Sequence, residues 1–424
     1  MKKILIVTYY FPPYTGIEGH RPDSWYRYFR DLGLSPIVVT RHWTEGATQT
    51  WEDYQTDSGT DIEIERTERG EVHRLPYRAY KEFKKWGRKK LLGGAWYWLQ
   101  KAKGNLHIET DCVGNFLEYC RGICRSEKPD YILVSSAPLN IIYIGHQLEK
   151  EFGIPYLADF KDSYNNRLLK INYKLTLKEQ VEKSLFLHYV TKWLQNSFAV
   201  AGVCWPVIDM VNEKAKRPAH LVMNGFDEEE FAAINYKPDQ VFRITILGTI
   251  YAHQEIDFMV AGFAGFLKTV DADNILIQFI GLGDHSPVSQ KLKAALPARN
   301  LLITKRLPRK EALEFLTATT ILYYPGWRGY RGIYSGKIFE YLCTRLPILI
   351  GPGDEDVIDE LLLETDAGKS AYTPAEMSST LVQWYHMWTA GEKIPYSANE
   401  RLNQYSNWNQ ARIMAEIFHG ESSQ

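Results

Sequence analysis

A strand, a glycine-rich loop, a helix and a second strand follow one another within residues 321–350, and this succession constrains the fold more than any other feature of the sequence. The first strand is the apolar run 321–324, and the loop that follows it holds glycines at positions 326, 329, 332 and 336. Ser335 is a suitable N-cap, which predicts a helix over residues 336–344, and the next strand is predicted at 347–350. These elements make a βαβ unit, whose helix N-terminus is a favourable place for an anion.

The loop of this unit has the composition of a ligand-binding loop. Glycines allow backbone amides to approach a ligand without a Cβ in the way. The loop also carries Arg328, Arg331 and several aromatic side chains, which a simple change of chain direction does not need. Glu340 lies one turn into the predicted helix, where its carboxylate can accept hydrogen bonds from hydroxyl groups of a bound molecule. Binding therefore explains the loop better than a structural turn does.

The same alternation of apolar strands and helices recurs along most of the chain. Residues 4–8 form an apolar run, which is typical of a strand buried on both faces of a parallel sheet. Further strands are predicted at positions 36–39, 130–134, 154–158, 198–203, 244–247, 275–280 and 301–303. Residues 41–75 are polar and are predicted to form a long excursion from the sheet. We expect an α/β protein with two Rossmann-like domains, 1–227 and 241–406, joined by a linker at 228–240.

Composition and charge narrow the class of protein. The chain has 424 residues, enough for two domain cores, and its 45% hydrophobic and 24% charged residues are ordinary for a globular protein. The net charge of −1 excludes a polyanion-binding surface that covers the whole protein. Five scattered cysteines indicate reduced thiols, and the sequence has neither a signal-peptide core nor a run of about 18 apolar residues. A cytoplasmic protein is therefore expected.

Six short motifs occur in a defined order along the chain. They are FPPYTGIEGHR near the start, YLADFKDSY at 156–164, MNGFD at 223–227, LGTIY at 247–251, FIGLG at 279–283 and SGKIFEYLCTRLPIL at 335–349. Together they resemble the GT-B glycosyltransferases, specifically the large retaining family with a Glu-x7-Glu element. In that family the second Glu binds the nucleotide ribose, and Glu340 matches it. The first Glu would stand eight residues earlier, where this sequence has Gly332.

The resemblance implies the GT-B fold, in which two Rossmann-like parallel-sheet domains face a cleft and a C-terminal helix, here 407–419, crosses back to the first domain. It also implies an enzyme that moves a sugar from a nucleotide-sugar donor to a hydroxyl acceptor, with retention, without a metal and with no cofactor. The residues that it assigns to the donor are Gly16, Gly248, Thr249, Tyr251, Gly332, Ile333, Tyr334, Ser335, Gly336, Lys337 and Glu340. On the acceptor side the candidates are His20, Arg21 and Asp159.

The predicted catalytic residues are Arg328, Arg331 and Asp162, and the two arginines follow from a departure from the family pattern. The family supplies an Arg and a Lys just after the first strand of the second domain, whereas this sequence reads GTIYAHQEIDF there. Arg328 and Arg331 are the predicted replacements that stabilise the leaving diphosphate, with solvated loop arginines as the alternative. Asp162 follows a predicted strand of the first domain and is the predicted catalytic carboxylate, with turn capping as its alternative role.

Residues 77–104 combine basic and aromatic side chains. The predicted membrane patch within them consists of Lys84, Lys85, Trp86, Arg88, Lys89 and Lys90. Cations suit anionic head groups and aromatic rings suit the interface, so the segment predicts peripheral attachment to the inner membrane face. The alternative is a solvated helix whose aromatic side chains pack on the first domain. One short patch on a chain of net charge −1 makes a nucleic-acid partner the weaker explanation.

The sequence favours a glycosyltransferase whose acceptor is a lipid-linked or cell-surface polysaccharide precursor. The alternatives are a sugar-nucleotide epimerase of GT-B fold and a non-catalytic sugar-nucleotide-binding protein. The sequence has no Asp-x-Asp metal element, no P-loop motif of kinases and ATPases, and no Gly-x-Ser-x-Gly motif of hydrolases.

Overall fold

The computed structural model describes residues 1–44, 61–77, 92–106, 113–163, 166–232, 234–237, 239–251 and 254–420. The chain divides into two compact units. The first consists of Met1–Asn224 and Asn407–Gln424, and the second consists of Gly225–Ser406. Each unit is built on its own sheet, as the two-domain α/β prediction requires.

Within the described part of the first unit, eight strands form one sheet, in the order β3-β4-β2-β1-β5-β6-β7-β8. They are β1 (Lys2–Thr8), β2 (Leu34–Arg41), β3 (Glu63–Arg66), β4 (Glu71–Leu75), β5 (Tyr131–Ser135), β6 (Tyr156–Phe160), β7 (Ala199–Gly202) and β8 (Ala219–Leu221). All neighbours run parallel except β3 and β4, which are antiparallel. The side chains of Ile4, Leu5, Ile6 and Val7 are fully buried, which explains why β1 is apolar at successive positions.

Among the residues that the structure describes in the second unit, six parallel strands form one sheet, in the order β11-β10-β9-β12-β13-β14. They are β9 (Phe242–Leu247), β10 (Ile275–Ile280), β11 (Leu301–Ile303), β12 (Ile321–Pro325), β13 (Ile348–Gly351) and β14 (Gly368–Ser370). Because the strands are parallel, the loops that follow β9, β10, β12 and β13 all lie at one edge of the sheet, where open α/β sheets bind ligands.

The α-helices connect and cover these strands. They are α1 (His20–Tyr28), α2 (Leu92–Ala102), α3 (Val113–Glu127), α4 (Ile142–Phe152), α5 (Leu177–Leu194), α6 (Trp205–Asn212), α7 (Glu228–Ala232), α8 (Ile256–Thr269), α9 (Pro287–Ala295), α10 (Arg309–Glu314), α11 (Gly336–Thr344), α12 (Val357–Thr365), α13 (Pro374–Thr389) and α14 (Asn407–His419).

The last helix, α14, belongs to the first unit. Met414 and Phe418 are buried in the same core cluster as Trp25 and Phe29 of the α1 region. The Phe418 ring also lies 5.3 Å from that of Tyr131 at the start of β5. The crossing-back of the C-terminal helix that the resemblance implied is therefore present.

Residues 61–75, predicted to be part of an excursion, contain two strands of the first sheet. Every residue of β3 is exposed, so β3 lacks the apolar pattern that identifies a buried strand. The strand β4 is buried from Val72 to Leu75, but it includes His73 and Arg74 and therefore has no continuous apolar run. Charge pairs add to the antiparallel pairing of β3 with β4: the guanidinium of Arg74 lies 3.3 Å from Glu63 and 2.8 Å from Glu65. Such a charged edge strand protects the sheet from pairing with another chain.

Residues 228–240, predicted to be a linker, fall within the second unit. The segment begins with the short helix α7, whose Glu230 accepts two hydrogen bonds of 2.8 Å from Arg309 of α10. Farther along, the Lys237 amide donates to the Thr317 carbonyl. These contacts fasten the described part of the segment to the second domain.

Candidate functional site

Glycine turns lie side by side at the carboxyl edge of the second sheet. Gly248 follows β9 with φ +74° and Gly281 follows β10 with φ +91°, a left-handed backbone that favours glycine. The Gly248 amide donates to the Ile280 carbonyl at 2.7 Å. A Cβ added to Gly281 would lie 3.6 Å from the Gly248 Cα, so the two turns are almost in contact. The two turns therefore approach each other through their backbones, without a Cβ atom of either glycine between them.

Gly332 has a local reason to differ from the Glu of the resembled family. Its φ is +64°, a conformation in which a side chain is disfavoured. Its amide donates a 2.6 Å hydrogen bond to the carboxylate of Asp356, which holds the loop in this shape. The left-handed backbone at position 332 therefore explains why glycine stands there.

The first turn of α11 has no side-chain cap from Ser335. Ser335 is the N-cap, as predicted, but its hydroxyl pairs with the Tyr324 hydroxyl at 2.9 Å. Nearby, Tyr334 stacks on Phe339 with 5.8 Å between ring centroids, while Ile333 is partly buried and Gly336 is buried. A helix N-terminus without a side-chain cap retains amide donors and the positive end of the helix dipole for an anion.

Lys337 brings a cation to the end of β9. Its ammonium donates to the backbone carbonyl of Thr249, and its Cε is so close to Gly248 that a Cβ there would lie 3.0 Å away. Burial lowers the pKa of Lys337 to about 8, while the Glu340 carboxylate acts in the opposite direction. The resemblance places an Arg and a Lys in this region of the chain, and here a lysine reaches it from α11 instead.

The two loop arginines differ in their surroundings. Arg328 binds Glu255 through Nε and a terminal nitrogen, at 2.8 and 2.5 Å, and donates to the Tyr372 carbonyl at 2.9 Å. Arg331 is exposed and makes no hydrogen bond or ion pair to the residues that the structure describes. Their role at the diphosphate stays a prediction, and the geometry of Arg328 is that of a residue fixing the loop.

Tyr251 and Thr249, both assigned to the donor, lie in the exposed part of the loop after β9. The Tyr251 ring lies 5.6 Å from that of Trp327 in the glycine loop. The Tyr251 amide donates to the side chain of Gln254, which in turn donates to the Pro325 carbonyl at the end of β12. These contacts join the loop after β9 to the glycine loop.

Glu340 is one end of a chain of three charged side chains. Its Oε1 accepts a 2.8 Å hydrogen bond from Arg309, whose other nitrogens bind Glu230. Its Oε2 has no partner among the described residues. Sequence reasoning missed Arg309 because it precedes Glu340 by 31 positions, and only the packing of α10 beside α11 reveals the pair. One Glu340 oxygen is thus held in place and the other can accept a hydroxyl.

In the first unit, Arg21 and Asp159 form a buried ion pair. Arg21 also donates to the carbonyls of Val222 and Met223, at 2.5 and 2.7 Å. The second oxygen of Asp159 accepts from Ser135 at 2.8 Å. The pair therefore connects α1, β5, β6 and the segment after β8, and its predicted contact with an acceptor stays a prediction.

Lys161 and Asp162 follow β6 at the carboxyl edge of the first sheet. The buried Lys161 ammonium donates to the Glu18 carbonyl at 2.6 Å, and burial lowers its pKa to about 8. The Asp162 side chain keeps contact with solvent, but the surrounding protein limits its hydration and, with Glu18, raises its pKa to about 6. A carboxyl with this pKa can exchange protons near neutrality, as the predicted catalytic role requires.

The loop after β1 places the remaining first-domain candidates. Gly16 is buried, and a Cβ there would lie 2.4 Å from the Tyr14 ring, so the close approach requires glycine. His20 is exposed at the start of α1. The loop thus presents His20 to solvent at the same sheet edge as Asp162.

The predicted membrane patch, Lys84, Lys85, Trp86, Arg88, Lys89 and Lys90, lies outside the described residues. Among the residues that are described, no helix is long and apolar enough to span a bilayer. Within the same residues, no group of three or more His, Cys, Asp or Glu side chains is arranged to hold a metal ion.

Comparison with known proteins identifies the fold. No protein-family model and no curated protein matches the sequence. Solved structures do match, each over 99% of this chain: sucrose-phosphate synthase from Thermosynechococcus elongatus (11% identity, 99% of that chain, TM-score 0.63), a glycosyltransferase from Rickettsia africae (11%, 99%, 0.60) and HepE from Anabaena in complex with UDP-glucose (10%, 100%, 0.56). The chain therefore has the GT-B fold, with two Rossmann-like parallel-sheet domains.

Proposed function

We propose that the protein is a glycosyltransferase that moves a sugar from a nucleotide-sugar donor to a hydroxyl acceptor, with retention and without a metal. The observation that carries the proposal is the arrangement at the carboxyl edge of the second sheet. There the glycine turns after β9 and β10 lie side by side, and the Lys337 ammonium reaches the first of them. The helix α11 supplies an N-terminus without a side-chain cap and carries the Glu340 carboxylate one turn farther along.

Each of these groups has a task in breaking the bond between the sugar and the diphosphate. Negative charge develops on the leaving diphosphate, and Lys337 and the amides of α11 stabilise it. Glu340 accepts hydrogen bonds from the ribose hydroxyls through its unpaired oxygen. Asp162 in the first domain, with a pKa of about 6, accepts or shares the proton of the acceptor hydroxyl.

The proposal is tested by incubating the protein with radiolabelled nucleotide sugars. Transfer of the label to an acceptor supports it, whereas interconversion of the free nucleotide sugar identifies an epimerase. Binding without turnover identifies a non-catalytic protein. A thermal-shift screen of UDP-, GDP-, CMP- and dTDP-linked sugars selects the donor, because a ligand raises the unfolding temperature of the state that binds it.

Glu340→Gln is expected to weaken binding of the cognate nucleotide by about 1.5–3 kcal/mol, because the substitution replaces charge-assisted hydrogen bonds with neutral ones. Isothermal titration measures the dissociation constants. Glu311→Gln, on the exposed surface of α10, is the matched control and should bind like the original protein. Equal affinity of both variants would refute the assignment of Glu340 to the ribose.

Activity is expected to survive treatment with EDTA, because the proposed stabilisation of the diphosphate uses an ammonium group and backbone amides rather than a divalent ion. Initial rates with and without chelator are compared at a fixed donor concentration. A loss of activity that added Mn²⁺ or Mg²⁺ restores would contradict the metal-free mechanism.

The acceptor is proposed to be lipid-linked or a cell-surface polysaccharide precursor, met at the inner membrane face. Support comes from the basic and aromatic composition of residues 77–104, in the domain to which the resemblance assigns the acceptor. The proposal predicts that membrane vesicles containing such an acceptor incorporate label from the nucleotide sugar.

A further inference from the structure

The first unit carries exposed apolar side chains beside lysines at the start of α5. The relative exposure is 41% for Ile171, 79% for Leu177 and 45% for Val181. Leu177 and Val181 are four residues apart and therefore lie on the same side of the helix. Exposed apolar side chains that share one side of a helix, as Leu177 and Val181 do, are a mark of an interaction surface.

The charge around these side chains is mostly positive. Residues 166–178 include Arg167, Lys170, Lys174 and Lys178 but no acid. The first acid that follows, Glu179, is buried and accepts hydrogen bonds from Thr176, Tyr173 and Arg167, so it offers little negative charge to the surface. Cations mixed with exposed apolar groups complement a surface that is anionic outside and apolar beneath.

A neighbouring helix, α2, packs against α5. The Tyr97 hydroxyl of α2 donates to Glu182 of α5 at 2.9 Å, and the Tyr189 hydroxyl of α5 donates to the Ala102 carbonyl of α2. Glu182, which also lies 3.9 Å from the Lys178 ammonium, is thus engaged within the protein. Leu99 of α2 is 52% exposed, and the residues 92–106 contain two lysines and no acid.

The position of α5 relates this surface to the candidate acceptor residues. The helix ends at Leu194, and the chain then enters β7. Just before β7, the Phe198 amide donates to the carbonyl of Tyr156 at the start of β6. The end of α5 therefore lies near the amino edge of the sheet, and its first turns lie toward the carboxyl edge. Asp162 is on that carboxyl edge, immediately after β6.

We propose that an anionic lipid bilayer docks on Lys170, Ile171, Lys174, Leu177, Lys178 and Val181, which we name the α5 face. The assignment of a lipid-linked acceptor rests on the proposed function, whereas docking itself depends only on this surface. Docking here brings the carboxyl edge of the first sheet toward the membrane, so that an acceptor anchored in the bilayer reaches Asp162 without leaving it.

The test is flotation of the full-length protein with vesicles of phosphatidylcholine alone or with 30% phosphatidylglycerol, at several salt concentrations. We expect binding to the anionic vesicles that falls as salt rises, because screening weakens the attraction of the lysines. The triple variant K170Q/K174Q/K178Q should reduce the partition coefficient by about a hundredfold, given about 1 kcal/mol for each basic residue. The double variant L177S/V181S should reduce it by about tenfold through lost burial in the interface.

Matched controls distinguish the α5 face from exposed residues in general. L363S removes a leucine of α12 that is 86% exposed, and K214Q/K216Q removes two exposed lysines after α6. Both should float like the original protein. All variants are at the surface, and unchanged thermal unfolding temperatures establish that they are folded.

Several outcomes would overturn the proposal. They are equal flotation of the original protein and the α5-face variants, no binding to anionic vesicles at low salt, displacement by a DNA duplex in preference to lipid, and a dimer that L177S/V181S dissociates. Nucleotide binding without vesicles is measured in the same preparations. If the original protein bound no nucleotide, the proposed function would be refuted and the docking would not. If nucleotide binding were present but the α5-face variants floated like the original protein, the docking alone would be refuted.

Discussion

Lys337→Met is expected to lower the turnover rate by about 10²–10³-fold, with a smaller effect on donor affinity. The ammonium of Lys337 is fixed by the Thr249 carbonyl beside the Gly248 turn, so it is in place before the diphosphate begins to leave. A group that stabilises charge developing in the transition state affects kcat more than binding. Steady-state kinetics with the cognate donor, together with titration of the nucleoside diphosphate, separate the two effects.

The pH dependence gives the same prediction a second readout. Burial lowers the pKa of Lys337 from its ordinary value of 10.5 to about 8. The lysine is therefore charged below pH 8 and loses its charge as the pH rises through that value, so kcat/KM should fall on the alkaline side near pH 8. In Lys337→Arg the guanidinium stays charged, and whatever activity remains should not show this fall.

One control substitution and two competing substitutions accompany Lys337→Met. Lys310→Met removes an exposed lysine of α10 and should leave kcat unchanged. Arg328→Ala and Arg331→Ala test the original prediction that the loop arginines stabilise the diphosphate. Wild-type kinetics for Lys337→Met, together with large losses for both arginine variants, would move the diphosphate site from α11 to the loop.

Asp159→Ala is expected to destabilise the first domain by about 3–5 kcal/mol, because it leaves the Arg21 guanidinium buried without its counter-charge. Arg21 is held between α1, β6 and the segment after β8, so it cannot turn out to solvent without breaking its bonds to Val222 and Met223. Hydrogen exchange of peptides from β1 and β6, followed by mass spectrometry, measures the effect within the first domain.

Asp239→Ala is the matched control, since it removes the aspartate of the partly exposed pair with Arg243 in the second domain. A pair of this kind contributes about 0–1 kcal/mol. Each variant is compared by the change in hydrogen exchange within its own domain. If Asp159→Ala changed exchange in the first domain no more than Asp239→Ala changes it in the second, the buried pair would not be a fixed part of the first domain. The acceptor role that the resemblance assigned to Arg21 and Asp159 would then become the stronger explanation for both residues.

The sequence predicted best the elements whose signals are local. The bounds of α11 and α14 agree with the predicted helices because Ser335 marks the start of the first and an amphipathic pattern defines the second. Most buried strands of both sheets were found from their apolar runs, but the buried strand β4 was missed because His73 and Arg74 interrupt its apolar pattern. The edge strand β3 was missed because all of its residues are exposed and it carries charged side chains that pair with Arg74 rather than an apolar alternation.

The candidate site was predictable in its residue types and less so in its contacts. Glu340 and the glycine loop stand out in the sequence, but the bond between Glu340 and Arg309 joins helices that are separated by β12. The reach of Lys337 across to Thr249 depends in the same way on how β9 and α11 lie beside each other. Pairing of this kind is set by tertiary packing, which spacing along one chain does not reveal.

The place of α14 in the first domain has a consequence for biosynthesis. The buried side chains of Met414 and Phe418 complete a core that begins with Ile4 and Ile6 of β1. A ribosome therefore finishes every strand of the first domain, and then the whole of the second, before the helix that closes the first core emerges. During that interval the apolar side chains of Trp25 and Phe29 are not yet covered by α14. This exposed apolar surface makes the nascent chain prone to aggregate, and chaperones or rapid elongation would favour completion of the first core.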